Sequence, residues 1–99
     1  MKLKDRVAIV TGGGKGIGEE ICLGLAKEGA KIVIAEIDIA NSENAKKKIL
    51  DTGSEAIIVK TDVSKKDSIN EMVEKAIQTF GKIDILINNA GIRLSLIHI

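Results

Sequence analysis

Four short apolar runs recur along the chain, separated by longer stretches in which apolar and polar residues follow a helical spacing. The runs cover residues 7–10, 32–35, 56–59 and 83–87. They are rich in β-branched residues and continuous rather than alternating. This pattern is typical of strands that are buried on both faces of a parallel sheet.

The stretches between these runs predict three helices. The first runs from near Gly16 to Gly29, the second over about 40–52, and the third from a capping-box start at 64–67 to Gly81. The apolar positions expected to face inward are Ile17, Ile21 and Leu25 in the first helix, Ala45 and Ile49 in the second, and Ile69, Met72, Val73, Ala76, Ile77 and Phe80 in the third.

Strands that alternate with helices of this length predict an α/β fold with parallel strands and right-handed crossovers. We expect a Rossmann-type doubly wound parallel sheet, first half only, as β-α-β-α-β-α-β with strand order 3-2-1-4. In this interpretation residues 1–92 form one partial domain and 93–99 an atypical tail. Because the tail is apolar and ends abruptly, we attribute it to a truncation artefact and expect the fourth strand to present an unpaired outer edge.

The segment between the first predicted strand and helix, residues 11–18, reads T-G-G-G-K-G-I-G. A loop at this point brings backbone N–H groups and the positive end of a helix dipole together, which suits a phosphate group. Glycine serves there because it tolerates positive φ and allows the close approach of a pyrophosphate. The segment therefore predicts a phosphate-binding loop, although glycines alone are also compatible with a tight turn.

The spacing of these glycines narrows the kind of loop. A P-loop needs Ser or Thr after its Lys to hold magnesium, but Gly16 follows Lys15. The general dinucleotide motif G-x-G-x-x-G fails in every register, because it would need glycine in place of Ile17 or Glu19. The spacing that fits is T-G-x-x-x-G-x-G over 11–18.

Polar groups follow the other three predicted strands. Glu36 ends the second strand, where a carboxylate can accept hydrogen bonds from the ribose hydroxyls of an adenosine. D-V at 62–63 follows the third strand and N-N-A-G at 88–91 follows the fourth. Each could be a charged strand end or an ordinary turn. Because the carboxyl ends of parallel strands share one sheet edge, where ligands bind, together they predict a nucleotide site.

In this order and spacing, these motifs resemble the short-chain dehydrogenase/reductase family. The longer-chain epimerase branch fits less well, since T-G-x-x-G-x-x-G would need glycine in place of Lys15. The resemblance implies NAD or NADP as the cofactor. It also implies that the full-length protein is a homo-oligomer and acts on a small carbonyl or alcohol substrate. The residues that it places at the cofactor are Gly12, Lys15, Gly16, Ile17 and Gly18 in the loop, Glu36, Asp62 and Val63 after the second and third strands, and Asn88, Ala90 and Gly91 after the fourth.

The resemblance also implies individual roles. Asp62 bonds the adenine amino group, and Asn88 is tied to Thr11. Glu36 disfavours the 2′-phosphate of NADP by like-charge repulsion, whereas Lys15 favours it, because NADP-dependent members often carry a basic residue there. Since Lys15 can swing into solvent, we expect NAD in preference to NADP.

The residues that carry catalysis in this family are not recognisable here. A Ser and a Tyr-x-x-x-Lys pair lie beyond N-N-A-G in the family, where Tyr exchanges the proton and Lys lowers its pKa. The chain contains no Tyr, and we interpret Ser95 and His98 as bystanders. We assign no catalytic residue and expect the chain to be inactive. Two functions stay open: the cofactor-binding part of an oxidoreductase, or a non-catalytic dinucleotide-binding or regulatory module.

The composition argues against several other classes of protein. The net charge is +1, from 15 basic and 14 acidic residues without a basic block, which argues against a nucleic-acid partner. The apolar runs are far shorter than a membrane span, and no secretory signal begins the chain. Cys22 is the one cysteine, which predicts a core residue, no metal site and a cytoplasmic protein.

Overall fold

The computed structural model describes residues 2–14, 16–89 and 93–96, the last as backbone only. Strands and helices alternate over the first four strands, as the apolar runs predict. The elements are β1 (Val7–Thr11), α1 (Gly16–Lys27), β2 (Lys31–Glu36), α2 (Ile39–Asp51), β3 (Ala56–Lys60), α3 (Lys66–Phe80), β4 (Ile85–Asn88) and β5 (Arg93–Leu96).

The sheet has the strand order β3-β2-β1-β4-β5. The first four strands are parallel, so the predicted α/β fold and the order 3-2-1-4 are confirmed. The expectation of an unpaired edge on β4 is wrong, because β5 pairs with β4 in antiparallel register. The chain reverses after β4, and its backbone groups satisfy those of the strand edge. The assignment of 93–99 to a truncation artefact stays a prediction.

The two faces of the sheet carry separate hydrophobic clusters. On one face, Ile32 and Ile34 pack with Cys22 of α1 and Ile49 of α2. On the other face, residues such as Val33 pack with α3. Side chains of β1 and β2 alternate between these clusters and are buried except at the two ends of β2, whereas β3 and β4 are buried only in part. Burial on both faces was therefore predicted correctly for β1 and β2 and only in part for β3 and β4, whose half-buried side chains still pack against both clusters.

Cys22 is fully buried, as predicted. Burial, and secondarily the negative charge of Glu19, raises the pKa of its thiol to about 12. A thiol with such a pKa stays protonated at neutral pH, so Cys22 serves as a small apolar residue beneath the glycine loop.

The apolar stripes of the helices match the structure unevenly. Ala45 and Ile49 are buried, and Met72 and Ala76 lead a stripe on α3 that faces the sheet. On α1 the prediction is wrong for Ile17, which is 60% exposed, whereas Ile21 and Leu25 are partly buried against the core as expected. The buried positions of α1 are small ones, namely Gly18, Cys22 and Ala26. Small side chains on this face let α1 approach the sheet and the glycine loop closely.

The C-terminal end of α3 was predicted correctly, and its N-terminal capping was not. Gly81 ends the helix in the left-handed conformation, with φ of 84°. The capping box expected at 64–67 is absent, because Lys65 is the N-cap and makes no side-chain capping hydrogen bond. The hydroxyl of Ser64 donates to Asp62 instead. No helix in the described part of the chain is long and apolar enough to cross a bilayer.

Candidate functional site

A cleft of about 220 Å³ lies at the carboxyl ends of the parallel strands. Its walls come from the ends of β1, β2 and β3 and from the residues that follow them, together with the residue after β4. The lining residues are Thr11, Gly12, Ala35, Glu36, Ile37, Thr61, Asp62, Val63 and Asn89. The cleft lies at the edge of the sheet where the sequence predicts the nucleotide site.

The glycine loop leaves β1 in a conformation that side chains disfavour. Gly12 and Gly16 have φ of 64° and 60°, in the left-handed region. Gly18 has a different reason for being glycine, because a Cβ there would lie 2.0 Å from the carbonyl oxygen of Gly12. The first turn of α1 thus packs directly against the backbone at the end of β1.

The outer side of the loop is open. A Cβ built on Gly16 meets no atom within 4 Å, and Ile17 beside it is largely exposed. The first N–H groups of a helix have no partner within that helix, and the helix dipole is positive there. This arrangement can hold an anionic group such as a phosphate at the start of α1.

Thr11 joins the end of β1 to the end of β4. Its hydroxyl lies 3.2 Å from Oδ1 of Asn88 and 3.4 Å from the Ile87 carbonyl, both acceptors for its one proton. The same oxygen accepts a hydrogen bond of 3.0 Å from the backbone N–H of Asn89. The predicted link between Asn88 and Thr11 is confirmed.

We expect Thr11→Val to destabilise the fold by about 1–2 kcal/mol, because the Asn89 N–H loses its acceptor in a half-buried position. Thr11→Ser keeps the hydroxyl and is the matched control, with a smaller loss. Urea unfolding of the variants measures the difference, and equal free energies for Val and Ser would show that the hydroxyl contributes nothing.

Glu36 is held at the end of β2 by backbone donors. Its Oε1 accepts hydrogen bonds from the N–H groups of Ile37 and Asp38, at 3.1 and 3.3 Å. Its Oε2 lies 3.4 Å from the N–H of Gly14 in the glycine loop. The carboxylate therefore sits between the strand end and the loop, on the wall of the cleft.

Asp62 occupies the matching position after β3. Its Oδ1 accepts from both the backbone N–H and the hydroxyl of Ser64. These hydrogen bonds lower the pKa of the Asp62 carboxyl, with a smaller contribution from the charge of Lys65. Asp62 is therefore an anionic acceptor at neutral pH.

The structure brings most of the predicted site residues together. Gly12, Glu36, Asp62 and Val63 line the cleft, and Asn88 adjoins it through Thr11. The other predicted loop residues with described positions, Gly16, Ile17 and Gly18, form the start of α1. The predictions for Lys15, Ala90 and Gly91 fall outside the described residues.

Two residues that line the cleft were not predicted from the sequence. Asn89 lines the cleft, and its side-chain Nδ2 lies 3.4 Å from the carbonyl oxygen of Gly12. From the same motif, Asn88 rather than Asn89 was predicted to bind the cofactor. Ile37 is an exposed apolar residue on the wall. The sequence signal that could have identified Ile37 is its position directly after Glu36, the acidic end of β2.

The family model described as short chain dehydrogenase matches residues 6–98. The chain belongs to this family. The glycine loop, the acidic end of β2 and the polar groups after β3 and β4 all lie within the matched residues.

Individual relatives agree with the fold and the family. The chain is 44% identical over 91 residues to a CLA biosynthesis dehydrogenase/reductase of Lactiplantibacillus plantarum, covering 92% of this chain and 32% of that protein. A hydroxysteroid dehydrogenase from Escherichia coli superimposes with a TM-score of 0.85 at 32% identity, covering 88% of this chain and 37% of that one.

An NAD+-bound xylitol dehydrogenase gives the same TM-score and identity, covering 88% of this chain and 34% of that one. The chain spans about a third of the length of these relatives.

Proposed function

We propose that this chain binds a nicotinamide dinucleotide, as the cofactor-binding part of an oxidoreductase that reduces a small carbonyl compound or oxidises an alcohol. The observation that carries the proposal is the direct packing of Gly18 on Gly12, which leaves an open helix start beside a cleft with two carboxylates. A nicotinamide cofactor supplies the hydride when a carbonyl compound is reduced and accepts it when an alcohol is oxidised.

The residues of the cleft suit the parts of a dinucleotide. The start of α1 at Gly16 and Ile17 would face the pyrophosphate. Glu36 would accept hydrogen bonds from the ribose hydroxyls, and Asp62 from the adenine amino group. The exposed side chains of Ile37 and Val63 would cover the base, and its contact would remove both from water.

We also propose NAD in preference to NADP. The carboxylate of Glu36, which lines the cleft, is fixed by three backbone donors. A 2′-phosphate placed against it would bring like charges together in a partly desolvated cleft. Lys15 is the opposing group in the sequence, and we give more weight to the like-charge repulsion at Glu36.

Calorimetric titration with the two cofactors tests both proposals. We expect NAD to bind at least about tenfold more tightly than NADP, and Glu36→Gln to narrow that ratio because it removes the charge and keeps the shape. Glu74→Gln, on the exposed face of α3, is the control and leaves the ratio unchanged. Tighter binding of NADP to the original chain would refute the preference, and binding of neither would refute the function.

We also propose a small-molecule substrate, a homo-oligomeric full-length protein and a cytoplasmic location, which membership of the family supports. The alternative, a non-catalytic dinucleotide-binding module, predicts the same cofactor titration without any hydride transfer in the complete protein. The oxidoreductase and the non-catalytic module differ in one measurable property: only the oxidoreductase, as the complete protein, oxidises an alcohol with NAD.

A further inference from the structure

The connection between β3 and α3 fixes Asp62 at three points. Its backbone N–H donates to the hydroxyl oxygen of Ser68 at 2.9 Å. Its backbone carbonyl accepts from the N–H of Lys65 at 3.0 Å. Its Oδ1 accepts from the N–H of Ser64 at 3.0 Å and from that residue's hydroxyl. Within the described part of the chain, no hydrogen bond reaches the second carboxylate oxygen, Oδ2.

Ser68 differs from the other two partners in where it comes from. Ser64 and Lys65 belong to the same turn as Asp62, and their contacts are local. Ser68 lies in the first turn of α3, six residues along the chain, and α3 is anchored on the sheet through Met72 and Ala76. Its hydroxyl therefore links Asp62 to a packed helix rather than to a turn.

The hydroxyl of Ser68 is not used as a helix cap. The N-cap of α3 is Lys65, whose side chain makes no capping hydrogen bond, and the oxygen of Ser68 reaches back past it to Asp62. A hydroxyl so placed holds the backbone of Asp62 at the mouth of the cleft while Ser64 restrains one carboxylate oxygen. The remaining oxygen is thereby held in one orientation.

We infer that Ser68 is a positioning residue for base recognition: it fixes Asp62 so that Oδ2 accepts a hydrogen bond from the amino group of adenine. The inference rests on the proposed function, and it adds a residue outside the cleft lining to the determinants of base specificity. The neighbouring apolar walls, Ile37 and Val63, contact any purine alike, so discrimination between purines depends on this acceptor.

A pair of dinucleotides that differ only in the base tests this role. NAD carries the adenine amino group, and nicotinamide hypoxanthine dinucleotide carries a carbonyl oxygen in its place. We expect the original chain to bind NAD about tenfold more tightly than the hypoxanthine compound, because the hypoxanthine base has no amino group to donate to the Asp62 carboxylate and places an oxygen against it. In Ser68→Ala this preference falls below about threefold, chiefly through weaker NAD binding.

Two further variants separate positioning from general weakening of the fold. Ser68→Thr keeps the hydroxyl and is expected to retain the preference for NAD. Ser54→Ala removes another half-buried hydrogen bond, from its hydroxyl to the Ala30 carbonyl, at the opposite edge of the sheet. It is expected to lower thermal stability without changing the ratio of the two affinities, which a purely structural loss does not alter.

The outcomes are distinct. Binding of neither dinucleotide to the original chain would refute the proposed function itself. Equal binding of both by the original chain, or an unchanged preference in Ser68→Ala, would overturn the role of Ser68 while leaving dinucleotide binding intact. A preference lost in Ser68→Ala and kept in Ser68→Thr and Ser54→Ala would support it.

Discussion

Gly18→Ala is expected to destabilise the fold by about 3 kcal/mol or more and to abolish dinucleotide binding. The new Cβ would lie 2.0 Å from the Gly12 carbonyl oxygen and 2.8 Å from its carbon, far inside contact distance. Both atoms belong to backbone, so no side chain can rotate away to relieve the clash. Either α1 or the end of β1 has to move, and each movement displaces the loop from the cleft.

Gly24→Ala is the matched control for this substitution. Gly24 lies on the same helix, but a Cβ there meets nothing within 4 Å. Alanine at an unobstructed helical position stabilises by about 0.5–1 kcal/mol relative to glycine. Urea unfolding of the two variants should therefore shift in opposite directions. Similar shifts for both would show that the effect follows helix propensity and that the contact with Gly12 is unimportant.

The sequence predicts those parts of the fold that depend on the hydrophobic pattern and on backbone geometry. Continuous β-branched runs separated by amphipathic helices leave few topologies, because parallel crossovers are right-handed and short. The glycine spacing was equally informative, since Gly12 and Gly16 need positive φ and Gly18 needs close approach. These requirements concern backbone geometry, which a motif records directly.

Other features depend on contacts that a single sequence does not record. The exposure of Ile17 follows from how closely the first turn of α1 approaches the loop, where Gly18 is the buried residue. The start of α3 was mispredicted because Ser64 donates to Asp62 rather than capping the helix. The pairing of β5 depends on a chain reversal after β4 that no periodicity in the apolar runs encodes.

Asp84, just before β4, is a second feature that the motifs did not predict. Its carboxylate is only 5% exposed and accepts a hydrogen bond of 2.9 Å from the backbone N–H of Val7, at the start of β1. Arg6 and Lys82 lie 3.4 and 3.2 Å from its oxygens. One side chain thus ties the start of β1 to the chain entering β4, at the sheet edge opposite the cleft.

The protonation of Asp84 couples this contact to pH. Burial acts to raise the pKa of the carboxyl, but the hydrogen bonds from Val7, Lys82 and Arg6 outweigh it and lower the pKa below the ordinary value. The folded state therefore holds its proton less tightly than the unfolded chain. The resulting stabilisation is present above the unfolded-state pKa of about 3.9 and is lost as the pH falls through the lower pKa of the folded state.

Asp84→Asn is expected to cost about 2 kcal/mol at neutral pH, because the variant has no charge for Arg6 and Lys82 and a weaker acceptor for Val7. The cost should shrink as the pH falls below about 4, because the Asp84 carboxyl of the unfolded chain takes up a proton there before that of the folded state does. Asp51→Asn, an exposed carboxylate at the end of α2, is the control and should cost little at any pH. Urea unfolding at pH 7 and pH 3 measures all of these, and a pH-independent difference for Asp84→Asn would mean that the amide's shape, rather than the missing charge, causes the loss.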